Sequence, residues 1–285
     1  MGFRLTNEQR KYLGLTSVEA SWDEVLWGET KFDETIVLYF DGDTLVKQII
    51  LGKDRYYELE LAELTAENRT IVLPKTAKGK PKKLNYTALS KMNGIGVYFH
   101  YFLGFVTIAN FSTQRTFYSS RSMHGEKIEG LNGLEKWLDW WINDTTEVDL
   151  CELEQFRSAK RQNCKYKAGD FFAFKTARRE YGFGRILFDV YQFKKTQAAG
   201  KVTENHYGLD YMGRPLIIQV YKKTSGSTHV DLNELKQYEA LLSQPILDNA
   251  FFYGEHEILG NLPLEPYEEV REISRSSGRY LLTLV

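Results

Sequence analysis

Cysteine is scarce in this sequence. Only Cys151 and Cys164 occur among its 285 residues. Two cysteines cannot build the disulfide scaffold of a small secreted protein, and no histidine stands near them at the spacing of a structural zinc site. We therefore expect both thiols to be reduced, as in a cytoplasmic protein, and we expect no bound metal.

Neither sign of charge is in excess, since 37 Lys and Arg residues stand against 38 Asp and Glu residues, a net charge of -1. Phosphate binding needs a concentrated surplus of Lys and Arg, so this balance argues against nucleic acid as an obligatory partner. The basic segment 74–83 carries five lysines, and we interpret it as a solvated loop between strands. The alternative is a nucleic-acid-binding module that uses the 75–83 loop and surface aromatics to grip single strands.

Long apolar runs are also missing. The longest, Ile95 to Ile108, contains His100 and two glycines and is too short to span a bilayer. The first fifteen residues have neither the apolar core nor the cleavage site of a signal peptide. The sequence thus predicts a cytoplasmic protein with no membrane partner, in which His100 is buried or half-buried among aromatic residues.

Catalytic motifs are absent as well. No Gly-x-Ser-x-Gly elbow occurs, and Gly182-Phe183-Gly184 lacks the third glycine and the Lys-Ser/Thr of a phosphate loop. We therefore predict that the chain is not an enzyme and has no cofactor, with these glycines lying inside a twisted or bulged strand. A hydrolase would need a carboxylate beside one of three histidines, His206, His229 and His256.

Aromatic residues are abundant, at 14% of the chain with 18 Tyr and 17 Phe. They favour β structure. Asp41-Gly42 between two apolar runs, 35–40 and 44–50, is a strong hairpin signal. Further strands are predicted in the first half at 56–61, 70–73, 94–102, 105–111 and 116–119. In the second half an antiparallel pair joined by a short loop is predicted through 170–190, and further strands at 216–221, 245–247 and 251–253. The pattern predicts an α+β fold class in which antiparallel sheets dominate both of two domains.

Few segments have helical periodicity. Thr6 and Gln9 predict a capping box, and Asn132 with Glu135 predicts a cap for a helix over 132–142. A more polar helix is predicted over 151–161, after which the periodicity becomes that of strands. We place a domain boundary there, giving an N-terminal α+β domain of unknown family over 1–160 and a β domain over 161–285.

The second half contains a distinctive pair of runs, KAGDFFAF from Lys167 and YGFGRIL from Tyr181. These runs, with PLII at 215–218, PIL at 245–247 and GEHEILGNLPL at 254–264, resemble the Immunity protein 26 family of bacterial polymorphic toxin systems over about residues 165–270. The resemblance implies a small SH3-like or barrel-like β domain. It also implies a cytoplasmic immunity protein that binds and neutralises a cognate protein toxin, with a nuclease as the candidate toxin class.

One surface hypothesis follows for the second half. Alternate strand residues share a face, so Tyr181, Phe183 and Arg185 lie together, and an aromatic ring beside an Arg fork is typical of binding hot spots. With Asp170, they form the predicted partner-binding set, opposite a core on the Ile186 face. The alternative is that Phe183 is core and Arg185 pairs with an Asp, either Asp170 or Asp189.

Overall fold

The computed structural model describes residues 3–29, 34–123, 125–195, 213–265, 272–276 and 279–283. The chain divides into two compact units, Met1–Arg161 and Gln162–Val285. That each unit folds as a domain of its own stays a prediction. Strand pairing is antiparallel throughout the described sheets, and the α+β fold class predicted from the sequence is confirmed.

A nine-stranded sheet forms most of the first unit. Its strands are β1 (Asp23–Glu29), β2 (Thr35–Asp41), β3 (Thr44–Gly52), β4 (Arg55–Ala66), β5 (Ile71–Val72), β6 (Lys82–Lys83), β7 (Ile95–Phe102), β8 (Phe105–Asn110) and β9 (Arg115–Ser119). The main path runs β1-β2-β3-β4-β7-β8-β9, and β5 pairs with both β4 and β6. The hairpin predicted at Asp41-Gly42 is confirmed by the pairing of β2 with β3.

The helices of the first unit are α1 (Asn7–Tyr12), α2 (Tyr86–Leu89), α3 (Gly130–Asp144) and α4 (Glu147–Ser158). The capping box predicted for Thr6 and Gln9 is present. The polar helix begins earlier than its predicted start at Cys151, because Thr146 and Asp149 form a second capping box.

The predicted cap of α3 is wrong. Glu129 occupies the N-cap position and makes no side-chain cap, so Asn132 lies inside the helix. The backbone N–H of Ile128 bonds to the Gly104 carbonyl oxygen at 2.9 Å, which fixes the entry to the helix by a tertiary contact. Local capping signals cannot reveal such a contact.

The two faces of the large sheet bury different cores. One core combines alternate residues of β7, namely Val97, Phe99 and Tyr101, with Leu138 and Trp141 of α3. The other lies on the opposite face, where Ile36, Leu38 and Phe40 of β2 pack with residues from the 71–92 segment. Alternation along each strand therefore places apolar side chains on both faces of this sheet.

A five-stranded meander forms the centre of the second unit. Its strands are β10 (Asp170–Ala177), β11 (Glu180–Asp189), β12 (Pro215–Ser225), β13 (Gln244–Leu247) and β14 (Glu257–Asn261). The strands β10 to β13 pair consecutively and β14 pairs with the free side of β10, which gives the order β13-β12-β11-β10-β14. Closure into a barrel-like domain stays a prediction. A separate hairpin joins β15 (Glu272–Ser276) to β16 (Arg279–Thr283).

Three short helices connect the strands of the second unit: α5 (Val190–Lys194), α6 (Leu232–Leu235) and α7 (Asn249–Phe252). The strand predicted at 251–253 is wrong, because Asp248 accepts backbone hydrogen bonds from Phe251 and Phe252 and closes a helical turn. Three aromatic residues in a row are too short a pattern to separate strand from helix. The polar composition of residues 194–205 predicts a long flexible loop, and most of these residues lie outside the described ranges. In the parts of the chain that are described, no helix has the length and apolar content needed to cross a membrane.

Candidate functional site

The predicted partner-binding residues lie on the β10–β11 hairpin. Tyr181, Phe183 and Arg185 stand opposite Lys175, Ala173 and Phe171 in the strand register, which confirms that the three share one face. Phe183 is fully buried, as the alternative interpretation expected, and Tyr181 is half-buried at the edge of the same cluster. The cluster's other fully buried members are Phe171, Ala173, Tyr221 and Leu235.

The core was expected on the Ile186 face alone, and this expectation is wrong. Ile186 does belong to a core cluster, together with Phe172 and Phe251. The Phe183 face is covered as well, by Leu235 and by residues of β12. The hairpin therefore lies between two apolar layers, so its side chains are mainly structural.

Arg185 is 0% exposed, so the expectation that it presents a donor fork to solvent is wrong. Its guanidinium carbon lies 4.6 Å from the centre of the Phe171 ring. Its Nη2 donates to the carbonyl oxygens of Leu262 at 2.6 Å and Pro263 at 2.8 Å. Arg185 therefore ties the chain that leaves β14 to the centre of the sheet, and any role in partner binding stays a prediction.

Asp170 is also buried, at 5% exposure. Its carboxylate accepts hydrogen bonds from the Lys167 backbone N–H at 2.8 Å and from Asn261 Nδ2 at 2.7 Å. The preceding Gly169 has φ +89°, and a Cβ there would stand 2.5 Å from the Leu262 carbonyl oxygen. The Gly-Asp motif thus closes the turn that leads into β10, and Asp170 links this turn to Asn261 at the end of β14.

The two glycines of β11 make room for phenylalanine rings of β10. Gly182 stands opposite Phe174, and Gly184 stands opposite Phe172. A Cβ at Gly182 would lie 2.7 Å from the Phe174 ring, and one at Gly184 would overlap the Phe172 ring and lie 2.6 Å from the Gln219 carbonyl oxygen. The prediction that these glycines belong to a strand is confirmed, and the pairing explains why Gly-Phe-Gly and Phe-Ala-Phe occur together.

An aromatic and polar cluster covers the other face of the hairpin. The His256 ring stacks on Phe172 at 5.5 Å, and burial lowers the pKa of His256 from 6.5 to about 4. Nearby, the Tyr166 hydroxyl donates a hydrogen bond to the Asp248 carboxylate. Burial, followed by this carboxylate, raises the pKa of Tyr166. Tyr166 and Asp248 were not predicted, because only the fold brings them together from positions 82 residues apart.

The histidines that a hydrolase would use are not assembled around a carboxylate in the described residues. His256 lies among phenylalanine rings, and exposed His229 lies 3.3 Å from Ser227 Oγ through its Nδ1. His206 lies outside the described residues, as does His124. Within the described ranges, no group of three or more His, Cys, Asp or Glu residues could hold a metal ion.

The first unit contains a buried charged network that the sequence did not reveal. Glu58 is 0% exposed, and its carboxylate accepts hydrogen bonds from Arg10 Nε at 2.8 Å, Lys47 Nζ at 2.7 Å and the Tyr56 hydroxyl at 2.6 Å. Burial opposes ionisation of Glu58, but Lys47 and Arg10 outweigh it and lower the pKa of Glu58. Arg10 belongs to α1 (Asn7–Tyr12), whereas Lys47 and Glu58 belong to β3 and β4. The network therefore holds the sheet to this helix.

The basic loop has a defined conformation. Thr76 N–H bonds to the Lys80 carbonyl oxygen at 3.0 Å, and Lys82–Lys83 pair with β5, where the sequence predicted only loop. All five lysines are exposed, and Tyr86 at 39% exposure follows them in sequence.

His100, predicted to be buried or half-buried, is half-buried. Burial is the main cause that lowers the pKa of His100 to about 4.

The second unit is thus a five-stranded antiparallel sheet whose most distinctive residues build its core and close its turns. The family model of Immunity protein 26 matches residues 167–278, which lie within this unit. The resemblance predicted for about residues 165–270 is confirmed. This family suggests an immunity protein for a toxin system. No curated protein and no solved structure gives a significant match to the chain.

Proposed function

We propose that this chain is a cytoplasmic immunity protein that binds a cognate toxin of a polymorphic toxin system and neutralises it. The observation that supports this most is the match of residues 167–278 to the Immunity protein 26 family. The matched residues include all five strands of the meander and the Gly-Asp turn that closes it. The match thus falls on the elements that define the second unit.

Neutralisation by binding requires a rigid surface, since ordering mobile groups at an interface costs affinity. The meander offers such rigidity, because the buried Arg185 and Asp170 tie the open end of the β10–β11 hairpin to residues 261–263. Of the four predicted partner-binding residues, Tyr181 alone retains partial exposure, while the other three support the sheet. We therefore propose Tyr181 as the contact residue of this set and the other three as its framework.

The direct test uses the toxin domain encoded beside this gene. We expect cells that express this domain to survive when the chain is co-expressed, and the purified proteins to form a complex whose heat of binding can be measured. An unrelated toxin domain of the same chemical activity is the matched control and should stay lethal. Survival without complex formation, or no survival at normal expression, would overturn the proposal.

A nucleic-acid-binding module remains the second candidate, because five exposed lysines precede the exposed Tyr86. Fluorescence anisotropy with labelled single-stranded DNA at about 50 mM and 200 mM salt separates the two, since phosphate contacts weaken steeply with salt. If the chain is an immunity protein, replacing Lys78, Lys80 and Lys82 with Ser leaves toxin protection unchanged. The second candidate would be favoured if the wild-type chain binds DNA in a salt-dependent way and this variant does not. It would also require that the toxin still kills cells that express the wild-type chain.

A further inference from the structure

Two large apolar side chains on the helices of the first unit are exposed. Trp140 is 51% exposed and lies about one turn before the end of α3, and Val148 is 77% exposed in the first turn of α4. Only Thr145 and Thr146 separate the two helices. Asp139 and Glu147, next to them in the sequence, are exposed as well, and we call the four residues Asp139, Trp140, Glu147 and Val148 the α3–α4 corner.

Trp140 packs against two other tryptophan rings of α3. Its ring centre lies 6.4 Å from that of Trp137 and 6.4 Å from that of Trp141. Trp141 is fully buried and donates from Nε1 to the Tyr12 carbonyl oxygen at 2.9 Å. Since an anchor that is already ordered loses little entropy on binding, Trp140 has the properties of a binding hot spot.

The charge around Trp140 restricts the partner. Seven acidic and two basic residues lie between Gly130 and Ser158. One of the acids, Asp149, is buried in a capping box, and one of the bases, Arg157, faces Glu154 at 3.5 Å. Asp139 and Glu147 directly precede Trp140 and Val148 in the sequence, and exposed Lys136 lies one turn before Trp140 on α3. Acidic residues therefore outnumber basic ones around the anchor, with Lys136 as the basic neighbour. An apolar anchor with an acidic surround complements a positively charged protein surface.

We propose that the α3–α4 corner docks a positively charged surface of the toxin, with Trp140 as the anchor that becomes buried. This inference rests on the proposed function and adds to it the contact surface and the partner's chemistry. A toxin that acts on nucleic acid carries such a surface, because it needs a surplus of Lys and Arg to hold phosphates. The first unit, which lies outside the family match, would then add a contact surface to the one proposed at Tyr181.

The test measures the dissociation constant of the full chain for the catalytically inactivated toxin domain encoded beside this gene. We expect Trp140→Ala to weaken binding at least about 30-fold, the loss typical of a hot spot. The double variant Asp139→Lys, Glu147→Lys should slow association and reduce its dependence on salt, since both changes remove attraction to a basic surface. Both sites are exposed, so the thermal midpoint should stay close to that of the wild type.

Matched controls lie elsewhere on the first unit. Tyr86→Ala removes another exposed aromatic ring, and Asp41→Lys with Glu67→Lys reverses two exposed charges at strand turns. We expect these variants to bind within about twofold of the wild type. Wild-type binding that the corner variants leave unchanged would overturn this inference alone, whereas no wild-type binding would overturn the proposed function. A wild-type dimer that Trp140→Ala converts to a monomer would show that a second copy occupies the corner, which also overturns the inference.

Discussion

Gly184 of β11 lies directly beneath the ring of Phe172 on β10, and the space that a side chain at residue 184 would need is filled by that ring. The two residues form one packing unit across the strands. Phe172 is fully buried and also contacts Phe251 edge-on, with ring centres 4.8 Å apart. The glycine is therefore required by the size of its neighbour, and not by a turn.

We expect Gly184→Ala to lower the free energy of unfolding by about 1–3 kcal/mol, because the new methyl group overpacks the core between Phe172 and the Gln219 carbonyl oxygen. Urea denaturation of the full chain measures this. Gly226→Ala is the control, since the nearest atom to a Cβ there is 3.9 Å away. A change at Gly184 no larger than that at Gly226 would show that the ring moves aside freely.

Removing the Glu58 carboxylate should destabilise the first unit strongly. Glu58→Ala leaves Arg10 and Lys47 buried without their shared partner, and breaking a buried pair in this way costs about 3–5 kcal/mol. Glu154→Ala, which removes the exposed ion pair with Arg157, should cost about 1 kcal/mol or less. Equal losses in the two variants, measured by denaturant midpoints, would contradict the assigned role of the network.

Stability of the second unit should fall as the pH drops from about 6.5 to about 4. In the folded chain, burial holds the pKa of His256 at about 4, while the unfolded chain binds a proton near its ordinary value of 6.5. The neutral ring therefore stabilises the fold above pH 6.5, and this contribution is lost as the pH falls through that interval. His256→Gln should flatten the slope of unfolding free energy against pH, and exposed His229→Gln should keep it. An unchanged slope in the His256 variant would refute the assignment.

Arg185 cannot be replaced by lysine without loss. A lysine has a compact ammonium in place of the planar guanidinium, whose Nη2 donates to two carbonyl oxygens while the group lies over the Phe171 ring. We expect Arg185→Lys to lower the free energy of unfolding by about 1–3 kcal/mol. The reverse exchange at exposed Lys222, Lys222→Arg, should change it by about 0.5 kcal/mol or less. A neutral result for Arg185→Lys would mean that the tie to residues 262–263 contributes little.

The sequence predicted much of the fold, because its strands, turns and helix caps are local patterns. Asp41-Gly42 and the Thr6–Gln9 box specify their structures within a few residues. The sites were less predictable, since burial depends on which elements pack together. Arg185 lies on the face predicted from strand alternation, yet α6 and the chain after β14 cover that face. The Glu58 network was hidden because its members come from three separate elements.

The Glu58 network also limits how this sequence can change over generations. Arg10, Lys47 and Glu58 come from α1, β3 and β4, and each carries a charge that the others balance. Replacing only one of the three leaves an uncompensated buried charge. Selection for a folded chain removes such variants. Among relatives of the first unit, the three residues should therefore be inherited as a set, or be exchanged together for an apolar group of similar volume.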